Sequence, residues 1–286
     1  MPKQINRQVV ARLLAVSAAF LLSGQVHACD PNLPATLVSQ ADAHLKNNNP
    51  SKAYGLMMTQ AANGSGGAFR YVGAMYEKGK GVQASEFMSR HMNWMGSQFN
   101  DPEALFKTAN DFYSRGFRSD GEYFAKRAID CGHSGAVGLL LRNLLGEGRD
   151  SEARALLEEG INDSIPEVKF ILAELYENGK LGLPRDPKRA FAWYYMASKD
   201  GYVKAMTALA YYFVRGLHGE QDDLAARYWY HKAAISGSAE AMTAYGWMLV
   251  NGRGGEADPE EGRYYLKSAL KAGDVNASAI LKSLDN

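Results

Sequence analysis

Six times along this chain a glycine closes a run of bulky residues: Gly79, Gly116, Gly148, Gly179, Gly216 and Gly252, at spacings of 37, 32, 31, 37 and 36 residues. A second series, Gly64, Gly132, Gly201, Gly237 and Gly273, falls between them, with Asn100 in the same role. Four residues after each member of the second series stands an alanine: Ala68, Ala104, Ala136, Ala205, Ala241 and Ala277. Self-similarity at such a period marks a repeat architecture. It restricts the fold severely, because each unit must bury its apolar face on the next unit rather than in one central core. Glycine just past a helix takes the left-handed cap conformation without steric cost, and asparagine is its usual substitute. Alanine at the start of the following helix lets neighbouring axes approach closely.

Between the glycines the apolar spacing is helical. Ala205, Leu209, Tyr212 and Phe213 form an i, i+4, i+7, i+8 stripe, and Ala241, Tyr245, Met248 and Leu249 repeat it. The second helix of each unit has its own pattern, as in "RAFAWYYMASKDG" (189–201), "AARYWYHKAAISG" (225–237) and "EGRYYLKSALKAG" (261–273). Trp193, Tyr194, Tyr212 and Phe213 occupy periodic bulky positions and are expected in the seams between helices. Loops such as "LGLPRDPKRA" and "GGEADPEEGR" put Pro and acids where the next helix begins, suiting its positive dipole end.

The pattern "A-x-x-x-L/Y-G/A-x-x-Y/F/L-x-x-G" followed by "A-x-x-W-Y-x-K-A-A-x-x-G" resembles the Sel-one-like repeat (SLR), a relative of the tetratricopeptide repeat (TPR). The match is close at 205–237 and 241–273, good at 168–201 and 68–79, and degenerate at 104–160. There the units ending at Gly148 and Gly160 read as shortened. The resemblance implies an all-α, right-handed α-solenoid of stacked antiparallel helix pairs. About seven pairs and a C-terminal cap would fill residues 36–284, and the first helices would line a concave binding surface.

Residues 1–28 read as a secretory signal peptide: Lys3, Arg7 and Arg12 without an acid, an apolar run at 13–22, and a small-residue site at Val26 and Ala28. The expected address is therefore the periplasm or envelope, with a linker at 29–35. Cys29 follows the cleavage site within "VHAC", which resembles a lipobox, so acylation is one expectation. A bridge to Cys131 in an oxidising compartment is another, and a plain buried thiol at Cys131 is the simplest. Membrane contact would come only through a lipid anchor at Cys29. Losing three cations from 32 leaves 29 against 31 acids. A body near −2 lacks the basic face that phosphate binding demands, so nucleic acid is not an expected partner.

Counted back nine, five and one residues from each closing glycine, the first helices present a largely polar row. Tyr211 and Trp247 interrupt it one repeat apart at the same register. With Arg215 and Asn251 they form the expected recognition patch, and Arg70, Lys107 and Arg115 a weaker basic one. No catalytic, metal or cofactor site is expected. "GHSGA" around Ser134 reads as a helix N-cap. "GAMYEKGKG" has five residues between glycines where a phosphate loop needs four, and lacks Ser/Thr after Lys80. His44, His91, His133, His218 and His231 lie on separate repeats, and His231 is expected to be solvated. The expected function is a non-enzymatic protein-binding scaffold or adaptor in the bacterial envelope. Immunity to a secreted toxic effector such as a phospholipase is the alternative, and a glycan- or peptidoglycan-binding module a weaker one.

Overall fold

The computed structural model describes Cys29 and residues 33–284; the expected signal segment lies outside them. Among the described residues there are fifteen helices and no strand: α1 (Ala35–Lys46), α2 (Pro50–Ala62), α3 (Gly66–Lys78), α4 (Glu86–Gln98), α5 (Pro102–Ser114), α6 (Arg118–Asp130), α7 (Ser134–Gly146), α8 (Asp150–Asn162), α9 (Pro166–Asn178), α10 (Pro187–Lys199), α11 (Val203–Arg215), α12 (Asp223–Ile235), α13 (Ala239–Val250), α14 (Pro259–Lys271) and α15 (Asn276–Leu284). Twelve of them span 13 residues. The chain divides into two compact units within α7, after Asn143.

A residue in the left-handed region follows each of α1 to α14: eleven glycines, and Asn48, Asn100 and Ser164. Both glycine series therefore do what their spacing implies. At the exits of the even-numbered helices the corner is closed by a recurrent backbone hydrogen bond, such as Tyr202 N–H to Ala197 O at 3.0 Å and Ser238 N–H to Ala233 O at 3.0 Å. The six alanines after these corners are fully buried.

The region 104–160 differs from expectation in one respect. Gly160 does not end a helix: α8 runs on to Asn162, and Ser164 takes the left-handed position. The helices keep their length. What is shortened is the connection from first to second helix, three residues at Gly116 and at Gly148 against seven or eight in the α3–α4, α9–α10, α11–α12 and α13–α14 loops. Each long loop ends on a capping side chain: Ser85, Asp186, Asp222 and Asp258 accept from the N–H three residues on. Ser134, expected as an N-cap, is instead the first helical residue of α7.

In the first unit the seams of α2, α3 and α4 are filled by Met57, Met58, Phe69, Val72, Met75, Met92 and Met95. A disulfide joins Cys29 to Cys131 just after α6, with Cα atoms 5.4 Å apart. The free buried thiol expected at Cys131 is not found. In the second unit the seams of α9 to α13 hold Tyr194, Leu209, Tyr212, Trp229, Tyr230, Met248 and Leu249, with Trp193 and Phe213 half-buried against them. Removing a side chain of this size from water contributes about 1.5–3 kcal/mol. The last hairpin is closed by α15, whose Ala277, Ile280, Leu281 and Leu284 cover Leu266 and Ala269. His231 is half-buried rather than fully solvated. Its ring lies 4.8 Å from that of Tyr245 and 6.3 Å from that of Tyr265, against the edge of the seam.

Candidate functional site

On α11 the buried stripe Ala205, Leu209 and Tyr212 turns Tyr211 away from the seam, and it is 47% exposed. On α13 the stripe Ala241, Tyr245, Met248 and Leu249 does the same for Trp247, 37% exposed. The structure supports these two rings differently. Tyr211 lines a recess of 470 Å³ together with Phe170, Glu177, Lys204 and Glu240. At its floor Glu177 accepts a hydrogen bond on each carboxylate oxygen, from Tyr194 at 2.9 Å and from Tyr212 at 2.9 Å. Burial, reinforced by the adjacent Glu177 charge, pushes both phenols well above their ordinary range, so they remain donors. Trp247 carries the Arg253 guanidinium 5.4 Å from its ring centroid. That guanidinium forks onto Asp223 of α12 at 3.0 and 2.6 Å. A planar, two-pronged pair of this kind fixes a guanidinium in one plane, which holds the face of Trp247 that it covers.

Other members of the expected row sit elsewhere. Arg215 is exposed at the end of α11. Asn251 donates its side-chain N–H back to Trp247 O at 2.8 Å, finishing its own helix. The innermost register of the row is not solvent-facing in this unit, where Phe170, Thr207 and Thr243 are buried. Thr243 donates to Asp274 at 2.6 Å, and Thr207 meets Ser238 at 3.3 Å, so each threonine ties its helix to the start of the next first helix. In the first unit Arg70 is paired with the buried Asp101 at 3.0 Å, whose carboxylate also caps α5 through Ala104 N–H. Lys107 and Arg115 instead share the wall of a cleft between α4 and α5.

Sequence reasoning missed Glu177 and Arg253. Glu177 lies in "YENG" and Arg253 in a loop glycine cluster, both composed like ordinary solvated turns, and only the packing of Tyr194, Tyr212 and Trp247 reveals them. Among the described residues no group of three His, Cys, Asp or Glu could hold a metal ion. No described helix is long and apolar enough to cross a membrane.

The family model for the Sel1 repeat matches at residues 70–91, 166–202, 203–238 and 239–274. The chain carries four Sel1 repeats. Its three contiguous Sel1 matches coincide with the hairpins α9–α10, α11–α12 and α13–α14, which carry Tyr211 and Trp247. No curated protein matches the sequence. Among solved structures, a Sel1 repeat protein from Oxalobacter formigenes is 21% identical with a TM-score of 0.59 over 87% of this chain and 75% of that one. A protective antigen of uropathogenic Escherichia coli strains, described as displaying an SLR fold, is 21% identical with a TM-score of 0.54. That alignment covers 84% of this chain and 54% of the antigen, and both likenesses speak to the fold. An immunity protein from Pseudomonas aeruginosa, Pa5087, is 12% identical with a TM-score of 0.41 over 94% of this chain and 83% of that one, too low to carry a functional argument. A Sel1 repeat stack is a scaffold suited to protein–protein interaction, because consecutive hairpins present equivalent positions side by side.

Proposed function

We propose that this protein is an exported, non-enzymatic adaptor that binds a partner protein in the bacterial envelope through Tyr211 and Trp247. The observation that carries this reading is the pair itself. Two large aromatic rings stand exposed at the same register of consecutive hairpins: Tyr211 at the edge of the recess that holds the Tyr194–Glu177–Tyr212 hydrogen bonds, and Trp247 against the Arg253–Asp223 pair. Aromatic anchors on rigid supports are the residues whose truncation costs most at interfaces, commonly about 2 kcal/mol or more each. Export is supported by the basic, apolar and small-residue order of residues 1–28 and by the Cys29–Cys131 bridge, since cystines persist in oxidising compartments.

The test is capture from envelope extract with the mature chain as bait. Tyr211→Ala with Trp247→Ala should remove the specifically captured protein while the helical circular-dichroism spectrum stays unchanged. If the same protein is captured by the doubly substituted bait, the assignment fails. A captured secreted lipase would place the protein in the immunity class instead of the adaptor class.

A further inference from the structure

A second site lies in the first unit, on helices that the Sel1 model leaves largely unmatched. Helix α4 begins at Glu86 after the Ser85 cap. Its i, i+4 and i+7 positions are Phe87, His91 and Trp94, stacked in sequence with centroids 6.3 and 6.1 Å apart and planes inclined by 3° and 21°. Phe87 is 71% exposed. Three aromatic faces in one file, turned outward, are not needed by any helix seam. Facing them, α5 contributes Lys107 and Arg115, and Arg90 of α4 reaches the same cleft of 320 Å³.

The charge of this cleft is unbalanced. Its one lining carboxylate, Asp111, is shared by Arg90 at 3.5 Å and Arg115 at 3.3 Å. Lys107 has Glu77 at 3.8 Å, and Arg90 also has Glu86 at 3.4 Å, both acids being well exposed at the rim. Ion pairs of that exposure are weak and readily exchanged. Beneath the cations, Asn93 and Thr108 line the cleft. Both residues are more than nine-tenths buried, and the Asn93 amide oxygen and Thr108 hydroxyl are closed off from solvent.

We infer that the α4–α5 cleft binds an acidic peptide segment of a partner protein, seating an apolar side chain on the Phe87–His91–Trp94 file and its neighbouring carboxylate against Arg90, Lys107 and Arg115. The chemistry is complementary at each point. A carboxylate accepts from the guanidinium groups of Arg90 and Arg115 and from the Lys107 ammonium. The surplus of cations selects an anion, and the aromatic file selects an apolar neighbour. This site is separate from Tyr211 and Trp247 and does not depend on them.

The experiment titrates the full chain, labelled with nitrogen-15, with acetyl-Gly-Phe-Glu-Gly-amide and with its glutamine counterpart. The glutamate peptide should move the Trp94 indole and Asn93 side-chain resonances, and the glutamine peptide should bind at least about tenfold more weakly, the loss expected for a charged hydrogen-bond partner. Arg90→Gln and Arg115→Gln, both on the surface, should each weaken the glutamate peptide about tenfold while the thermal midpoint holds. Equal binding of the two peptides would overturn the inference, as would undiminished binding to both variants or silence of the Trp94 and Asn93 signals at millimolar peptide. A hyaluronan tetrasaccharide that moved those signals where the peptide did not would replace it with an acidic-glycan site.

Discussion

At the scale of single residues, side-chain volume governs how closely helices approach. The position four residues after each even-helix corner is alanine in six repeats, but Val168 in the unit that follows Ser164. The extra methyls are accommodated opposite, where a Cβ on Gly160 would lie 2.7 Å from Val168 Cγ2. Gly160 is thus a packing residue, and reading it as a helix terminator mistook one use of glycine for another. Gly160→Ala should destabilise the protein by about 1–3 kcal/mol through overpacking, even though alanine favours helix. Adding Val168→Ala should recover most of that loss. Urea denaturation of the single and double variants checks this, and additive rather than compensating effects would refute the pairing.

Individual helices are tied to one another by a few polar bonds at their ends, and one such bond makes stability respond to pH. Thr243 of α13 donates to Asp274, whose carboxylate also receives the Asn276 N–H at the start of α15. These bonds, the threonine's foremost, hold the Asp274 carboxyl below its ordinary 3.8, against a smaller opposing effect of burial. A carboxyl lowered by folding contributes stability that is present above its unfolded value and disappears as pH falls through the folded one. Thr243→Val should therefore lower stability at pH 7, with the gap from the parent closing below about pH 4 as Asp274 protonates; a pH series of thermal melts reads it out. The helices themselves were legible in sequence, because apolar period and left-handed corners are local properties. The burial of Thr207 and Thr243 was not, since a short hydroxyl side chain suits water or a tie to the next helix equally, and only the neighbouring Ser238 and Asp274 decide. Tyr211 and Trp247 stood out by register alone, whereas the α4–α5 cleft lies where the repeat pattern is weakest. Its cations were visible without the aromatic file that gives them meaning.

For the whole molecule, one covalent bond spans most of the first unit. The Cys29–Cys131 bridge encloses a sequence separation of 102 residues. By chain-entropy reasoning, closing a loop of that length restrains the unfolded chain by about 4.7 kcal/mol. Cys131→Ser should therefore raise amide hydrogen exchange across α2 to α6, while exchange in α12 to α14 stays as it was. Equal acceleration in both units would show that the bond acts on more than its own half. Helix length carries a different lesson. Rods of 13 residues are about 20 Å long, and this length recurs even where repeat spacing drops to 31. The variation falls in the connection from first to second helix. An insertion or deletion there leaves every seam in register, whereas one inside a rod would rotate all later contacts of that helix by about 100° per residue. New length, and any new recognition loop that comes with it, has this one hem along which to grow.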